Sequence, residues 1–302
     1  MDARSAGSQN GDRMVTRPVP ADWLGQRRRA DHQAREKAAP LLETLLDRLH
    51  ALLPAAADST TASASVHVID VGAGTGSNQA WLAPRLSVPQ HWTLLDHDAD
   101  LLEVAAEDPA AAGPIQTTRV LGTIEDLPGM TQGDAVELVT CSALLDLLSP
   151  REAELLADSI AGSIAGSGVN HVAALLSLTV TGAVEISPGH TDDAVIAQAF
   201  DAHQRRDGLL GPDAAGTVAQ LLRERGAEVT LIGTDWTLDA GDAALIRRYL
   251  SDRADVAVEH DPSLAGPAQE WLAAREEQLD RGELEVTVGH LDLLSLPGTS
   301  TR

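Results

Sequence analysis

The apolar run from Val66 to Val71 breaks directly into glycines at 72, 74 and 76, and this junction constrains the chain more than any other stretch. It reads as a buried strand feeding a tight turn and then a helix from about Asn78 to Leu86. Glycine at alternate positions lets the backbone take positive φ and lets a ligand approach with no Cβ in the way. The following helix would aim its free N–H groups and the positive end of its dipole at whatever rests on the turn. A dinucleotide would ask for Gly-x-Gly-x-x-Gly, and read from Gly72 the third glycine falls on Ser77. What stands here is Asp-x-Gly-x-Gly-x-Gly, with Asp70 closing the strand. A carboxylate in that place suits a ligand carrying an ammonium group better than a pyrophosphate.

Downstream, Trp92 to Asp96 forms a second strand whose last residue lies some twenty positions beyond the glycines. An acid closing strand two can accept both hydroxyls of a ribose. A third strand, about Thr117 to Leu121, ends in Gly-Thr-Ile-Glu-Asp-Leu-Pro128. Ala135 to Ser142 is nearly continuously apolar, as a central parallel strand buried on both faces should be. It leads to Asp146 and a helix opened by Ser149, Pro150 and Glu152, with Ser149 as cap and Pro150 in the first turn.

Together these segments resemble the class I S-adenosylmethionine (SAM)-dependent methyltransferases, over roughly residues 60–295. The resemblance implies a doubly wound, mostly parallel α/β sheet of seven strands in the order 3-2-1-4-5-7-6, with strand seven antiparallel. It implies SAM as methyl donor, held by Asp70, Gly72, Gly74, Gly76 and Asp96, with His97 on the adenine face. Thr123 stands where the family usually has Asp, so the contact to the adenine amine would come from a hydroxyl or backbone oxygen; Ile124 would add a backbone N–H and an apolar wall. Cys141 and Ser142, ending strand four, would border the cofactor. Enzymes of the family that methylate amide or base nitrogens usually carry Asn-Pro-Pro-aromatic there. Cys141-Ser-Ala-Leu-Leu-Asp146 resembles the small-molecule branch instead.

Around this core, residues 1–20 read as a disordered tail and residues 21–55 as a helical arm, with leucines at helical spacing from Leu41 to Leu53 and Arg27, Arg28 and Arg29 as a solvated face. The arm resembles the lid helices of small-molecule methyltransferases, and a plain amphipathic helix packed on the sheet edge is the other reading. The domain proper spans 60–302. Within it, 180–212 and 239–282 read as lid or insertion segments, including a hairpin or loop at Gly182 to Gly189. About fifty residues separate strand six, Glu228 to Gly233, from the last strand, Glu283 to Gly289, where the family normally has a hairpin. Two placements are open for that insertion: the rim of the pocket or a homodimer contact.

The formal net charge of -23 repels phosphate backbones and anionic lipid, so the expected partner is a small molecule, with no nucleic acid and no membrane. No run of eighteen or more uncharged apolar residues occurs, and a cytoplasmic protein is expected. Cys141 is the only cysteine, no metal-ligand spacing is visible, and a metal-independent transfer is expected. For the chemistry itself, His203 is the expected base, because imidazole titrates near neutral pH, and Asp146 the expected substrate ligand. Two other readings stay open at this point: an NAD(P)-dependent oxidoreductase, and a SAM-binding protein without catalysis.

Overall fold

The computed structural model describes residues 20–57, 65–105, 115–131, 136–165 and 171–298. The tail expected over residues 1–20 lies, apart from Pro20, outside them, as do residues 58–64 before the first strand. Two helices come first, α1 (Ala21–Arg35) and α2 (Ala39–Ala57), joined by a single 3-10 turn. Pro40 sits in the first turn of α2, where its missing N–H costs nothing. Leu41, Leu45, Leu49, Leu52 and Leu53 form one stripe of α2 and are buried.

The sheet then builds as β1 (Val66–Val71), α3 (Ser77–Leu82), β2 (Gln90–Asp96), α4 (Ala99–Val104), β3 (Ile115–Leu121), α5 (Leu127–Met130), β4 (Val136–Ser142), α6 (Pro150–Ala165) and β5 (His171–Ser187). After these come α7 (Asp193–Gln204), α8 (Ala214–Glu224), β6 (Ala227–Gly233), β7 (Trp236–Leu238), α9 (Ala243–His260), α10 (Ala265–Asp280) and β8 (Glu285–Pro297). The strand order is β3-β2-β1-β4-β5-β8-β6, with β7 also paired to β8. β1 to β5 pair in parallel with one another, and β8 runs antiparallel to β5, β6 and β7.

This is the expected doubly wound sheet with two differences. A three-residue strand, β7, precedes the insertion, so the closing antiparallel strand is the eighth. In addition, the stretch expected as a hairpin at Gly182 to Gly189 continues β5 as far as Ser187. The strand gets past Gly182 by two register shifts against β8, between Leu176 and Thr179 and between Val180 and Val184. Such irregularities bend a strand without ending it.

Alternation in the strands sorts side chains onto two faces. Val66, Val68, Trp92 and Leu94 pack with α2 and α3 through Leu45, Leu49, Trp81 and Leu82. Ile69, Val71, Val139 and Cys141 pack with α6 and α8 through Leu156, Ile160, Val218 and Leu222. A third apolar cluster lies under the insertion, where Trp236, Ile246, Leu250, Trp271 and Val286 meet Ala30 and Ala34 of α1 and Ile196 of α7. The insertion thus packs on the arm and on α7. Arg248 of α9 lies over Trp23 of α1 and pairs with Asp22.

Candidate functional site

The parallel strands end together, and their connecting turns are tied to one another. The N–H groups of Gly72 and Ala73 donate to the Leu95 carbonyl at 2.8 and 3.1 Å, and that of Gly122 donates to the Asp96 carbonyl at 2.9 Å. Gly72, Gly74 and Gly76 have φ of 66°, 53° and 74°, the left-handed region that favours glycine. A Cβ on Gly72 would lie 2.9 Å from Leu144 Cδ1, and one on Gly74 would lie 3.3 Å from Leu24 Cδ1.

A cavity of about 360 Å³ opens over this turn. Of the residues expected at the site, Gly72, Gly74, Asp96, His97, Thr123, Ile124, Ser142 and Asp146 line it. Asp96 is buried and accepts from the Gly74 N–H at 2.7 Å and the Asp98 N–H at 2.9 Å, with His97 Nδ1 at 3.4 Å. Thr123 opens a short capping box: its hydroxyl accepts from the Glu125 N–H, and its own N–H donates to Asp126. Beyond Ser142, Ala143 takes φ of 56° while its N–H donates to the Ser177 carbonyl at 2.9 Å. That conformation turns the chain out of β4 and brings Leu144 and Asp146 to the cavity wall. Asp146 is half-buried, and burial pushes its carboxyl above the usual range against the opposing pull of its own backbone N–H and of Arg27.

Asp70, Gly76, Cys141 and His203 do not line the cavity. Asp70 lies fully buried behind the turn. Its Oδ1 accepts from Asn78 Nδ2 at 2.6 Å, and Asn78 Nδ2 also reaches Thr140 at 3.1 Å. Burial raises the Asp70 carboxyl to about 7, although Asn78 and Arg35 pull the other way. Cys141 is buried among the apolar side chains beneath α6, and desolvation pushes its thiol up. His203 corrects an expectation. It is not part of the cavity lining and lies between α7 and α9, with Glu259 at 3.2 Å, Arg206 at 2.7 Å and the His260 ring at 6.5 Å. The helix starting near Asp193 continues past Phe200 and carries His203 onto its packed side.

The arm brings residues to the site that were not among those expected from the sequence. Trp23, Leu24, Arg27 and Asp31 line the cavity from above the glycine turn. Asp31 is buried and takes a two-pronged bond from Arg27, at 2.8 and 3.1 Å, and a third from the Trp236 indole at 3.0 Å. His32 meets Ser77 at 3.2 Å, and buried Arg35 donates to Asn78 Oδ1 at 2.8 Å while lying 3.8 Å over the Trp81 ring. The signal was present as a polar stripe, Arg27, Asp31 and Arg35, at intervals of four. It was masked by the run Arg27 to Arg29, which reads as solvated.

Residues 68–168 match a family model described as a methyltransferase domain. No curated protein matches the chain at a significant level. Among solved structures, the YcgJ protein from Bacillus subtilis is 13% identical, with 84% of this chain and 99% of that one covered and a TM-score of 0.45. A SAM-dependent methyltransferase from Geobacter sulfurreducens, solved with S-adenosyl-L-homocysteine, is 17% identical over 84% of this chain and 90% of that one, with a TM-score of 0.36. Another from Thiobacillus denitrificans, in complex with the same compound, is 17% identical over 85% and 91%, with a TM-score of 0.37. No helix among the described residues is long and apolar enough to cross a membrane.

Proposed function

We propose that this chain, whose residues 68–168 match a methyltransferase domain, is a class I SAM-dependent methyltransferase that moves the methyl group to a small-molecule acceptor held beside Asp146. The observation that carries the reading is the convergence on one cavity of the glycine turn, Asp96, the Thr123–Ile124 segment and the end of β4. The residues present fit the cofactor: the turn leaves a cradle that a side chain on Gly72 or Gly74 would fill, and Asp96 borders it with a carboxylate. When bound, SAM supplies a methyl already activated on a sulfonium. Asp96 would take the ribose hydroxyls, Thr123 and Ile124 the adenine, and the turn the methionine end. Asp70 acts from behind, fixing Asn78 and through it the start of α3.

With the donor activated, the chain's remaining work is to align the acceptor and exclude water. Alignment alone is worth roughly 7–11 kcal/mol. Trp23 and Leu24 on α1 cover the turn, and Leu147, Val180 and Leu209 give the far side apolar walls. Asp146 is the group placed to orient the acceptor and take its proton; a raised carboxyl suits that role. His203, outside the cavity, is not carried forward as the base.

Calorimetry with SAM and S-adenosylhomocysteine tests the cofactor half. Gly74→Val should abolish binding while far-ultraviolet circular dichroism stays that of the native sheet, because a branched side chain resists φ of 53° and crowds Leu24. Wild-type affinity in that folded variant would remove the turn from the site. Formation of S-adenosylhomocysteine on incubation with cell extract tests catalysis, and its absence would favour a binding protein.

A further inference from the structure

Resting on that reading, we propose that the acceptor is a basic amine with an apolar body, and that Asp146 is the residue that selects it. Charge around the cavity is one-sided. Asp31, Asp96, Asp98, Asp146 and Glu152 line it, against one guanidinium, Arg27, among the described residues. Arg27 is already committed, with Nε and Nη2 both on Asp31. It offers an acidic acceptor no unpaired charge.

Four of the five acids are committed too. Asp31 holds Arg27 and Trp236, and Asp96 holds the N–H groups of Gly74 and Asp98. Asp98 caps α4 through the N–H groups of Asp100 and Leu101. Glu152 closes a capping box with Ser149, at 2.8 Å from its N–H and 2.7 Å from its hydroxyl. Asp146 differs: among the described residues it has no side-chain partner, only its own backbone N–H. The cavity therefore presents one uncommitted carboxylate, within a lining whose apolar members include Trp23, Leu147, Val180 and Leu209.

A half-buried carboxylate without a partner favours a ligand that brings a positive charge or a strong donor, and it repels an acid. The same negative surroundings suit a cofactor that carries a sulfonium. An amine arriving as ammonium gives one proton to the Asp146 carboxylate and becomes the neutral nucleophile. Its lone pair then forms the N–C bond as the C–S bond breaks, and that electron pair stays on sulfur. The product is the methylammonium, and Asp146 returns its proton to solvent as the site empties. A carboxyl held above its ordinary range by burial makes the first proton transfer easier.

Three compounds of one shape separate the choices: 2-phenylethylamine, 2-phenylethanol and phenylacetate, each titrated calorimetrically into the full chain saturated with S-adenosylhomocysteine. The amine should bind at least about tenfold more tightly than the acid, with the alcohol between them. In Asp146→Asn the amine's advantage should disappear, with S-adenosylhomocysteine binding serving as the check that the variant is folded. An amine that binds no better than the acid overturns the proposal, as does an advantage that survives Asp146→Asn. Failure of S-adenosylhomocysteine to bind at all would instead strike the methyltransferase reading on which the proposal rests.

Discussion

Asp96 has two duties, and that raises the cost of removing it. Its Oδ2 accepts from the Gly74 N–H, so the carboxylate pins the turn as well as facing the cavity. Asp96→Ala should weaken SAM binding by more than one charge-assisted hydrogen bond, each worth about 1.5–3 kcal/mol, with calorimetry as the measurement. An unchanged Kd would take Asp96 away from the ribose. Ala143 makes a different case. It holds φ of 56° with a Cβ, a conformation that costs an L-residue roughly 1–2 kcal/mol. Ala143→Gly should therefore raise stability by about 1 kcal/mol net of the extra freedom given to the unfolded chain, read as a higher denaturation midpoint. A lower midpoint would mean that the methyl's packing outweighs the strain. The two residues differ in how far they could be read from the sequence. The glycines and Asp96 are legible because a turn and a strand end are written in neighbouring residues. Ala143's left-handed turn is not, since nothing in Cys-Ser-Ala-Leu requires it, and Arg35 and Asn78 meet only because the fold brings together positions 43 apart.

Among the elements, β7 has an effect larger than its length. It places Trp236 against Asp31, so a strand of three residues couples the sheet to the arm that covers the cavity. Arg27 stacks over the same indole at 5.2 Å, and His290 of β8 packs on it at 5.1 Å. Trp236→Phe keeps an aromatic ring there but removes the N–H donor, leaving Asp31 to Arg27 alone. It should cost about 1 kcal/mol and loosen α1 before the sheet, visible as faster amide exchange over residues 21–35 than over β1. Exchange that rose equally everywhere would show that Trp236 supports the core and not the arm. Such an element could not be foreseen: three residues between a strand and a helix carry no periodicity. The reverse holds at β5, where Gly182 reads as a break, yet the pairing with β8 resumes at Val184. Helix α6, by contrast, is written plainly in its own cap, Ser149 with Glu152.

At the scale of the whole molecule, two buried groups make stability depend on pH in opposite directions. Asp70 has its carboxyl raised to about 7, chiefly by burial. Between its ordinary range and that value the folded chain holds a proton that the unfolded chain has released, so stability falls as pH rises from about 4 to 7. His290, buried against Trp236, has its imidazole lowered to about 4, again chiefly by burial, with Arg27 adding to the effect. Here the unfolded chain takes up the proton first, so stability falls as pH drops from about 6.5 to 4. The two contributions oppose each other over nearly the same window, and the wild-type profile should be flatter than either alone. Asp70→Asn keeps an acceptor for Asn78 but cannot titrate. Relative to wild type it should gain stability progressively as pH climbs from 4 to 7, each unit of the raised pKa corresponding to about 1.4 kcal/mol. Urea unfolding of both proteins at several pH values measures that difference directly. A gap independent of pH would mean that Asp70 stays ionised throughout, its charge held by Arg35 and Asn78 against the cost of burial.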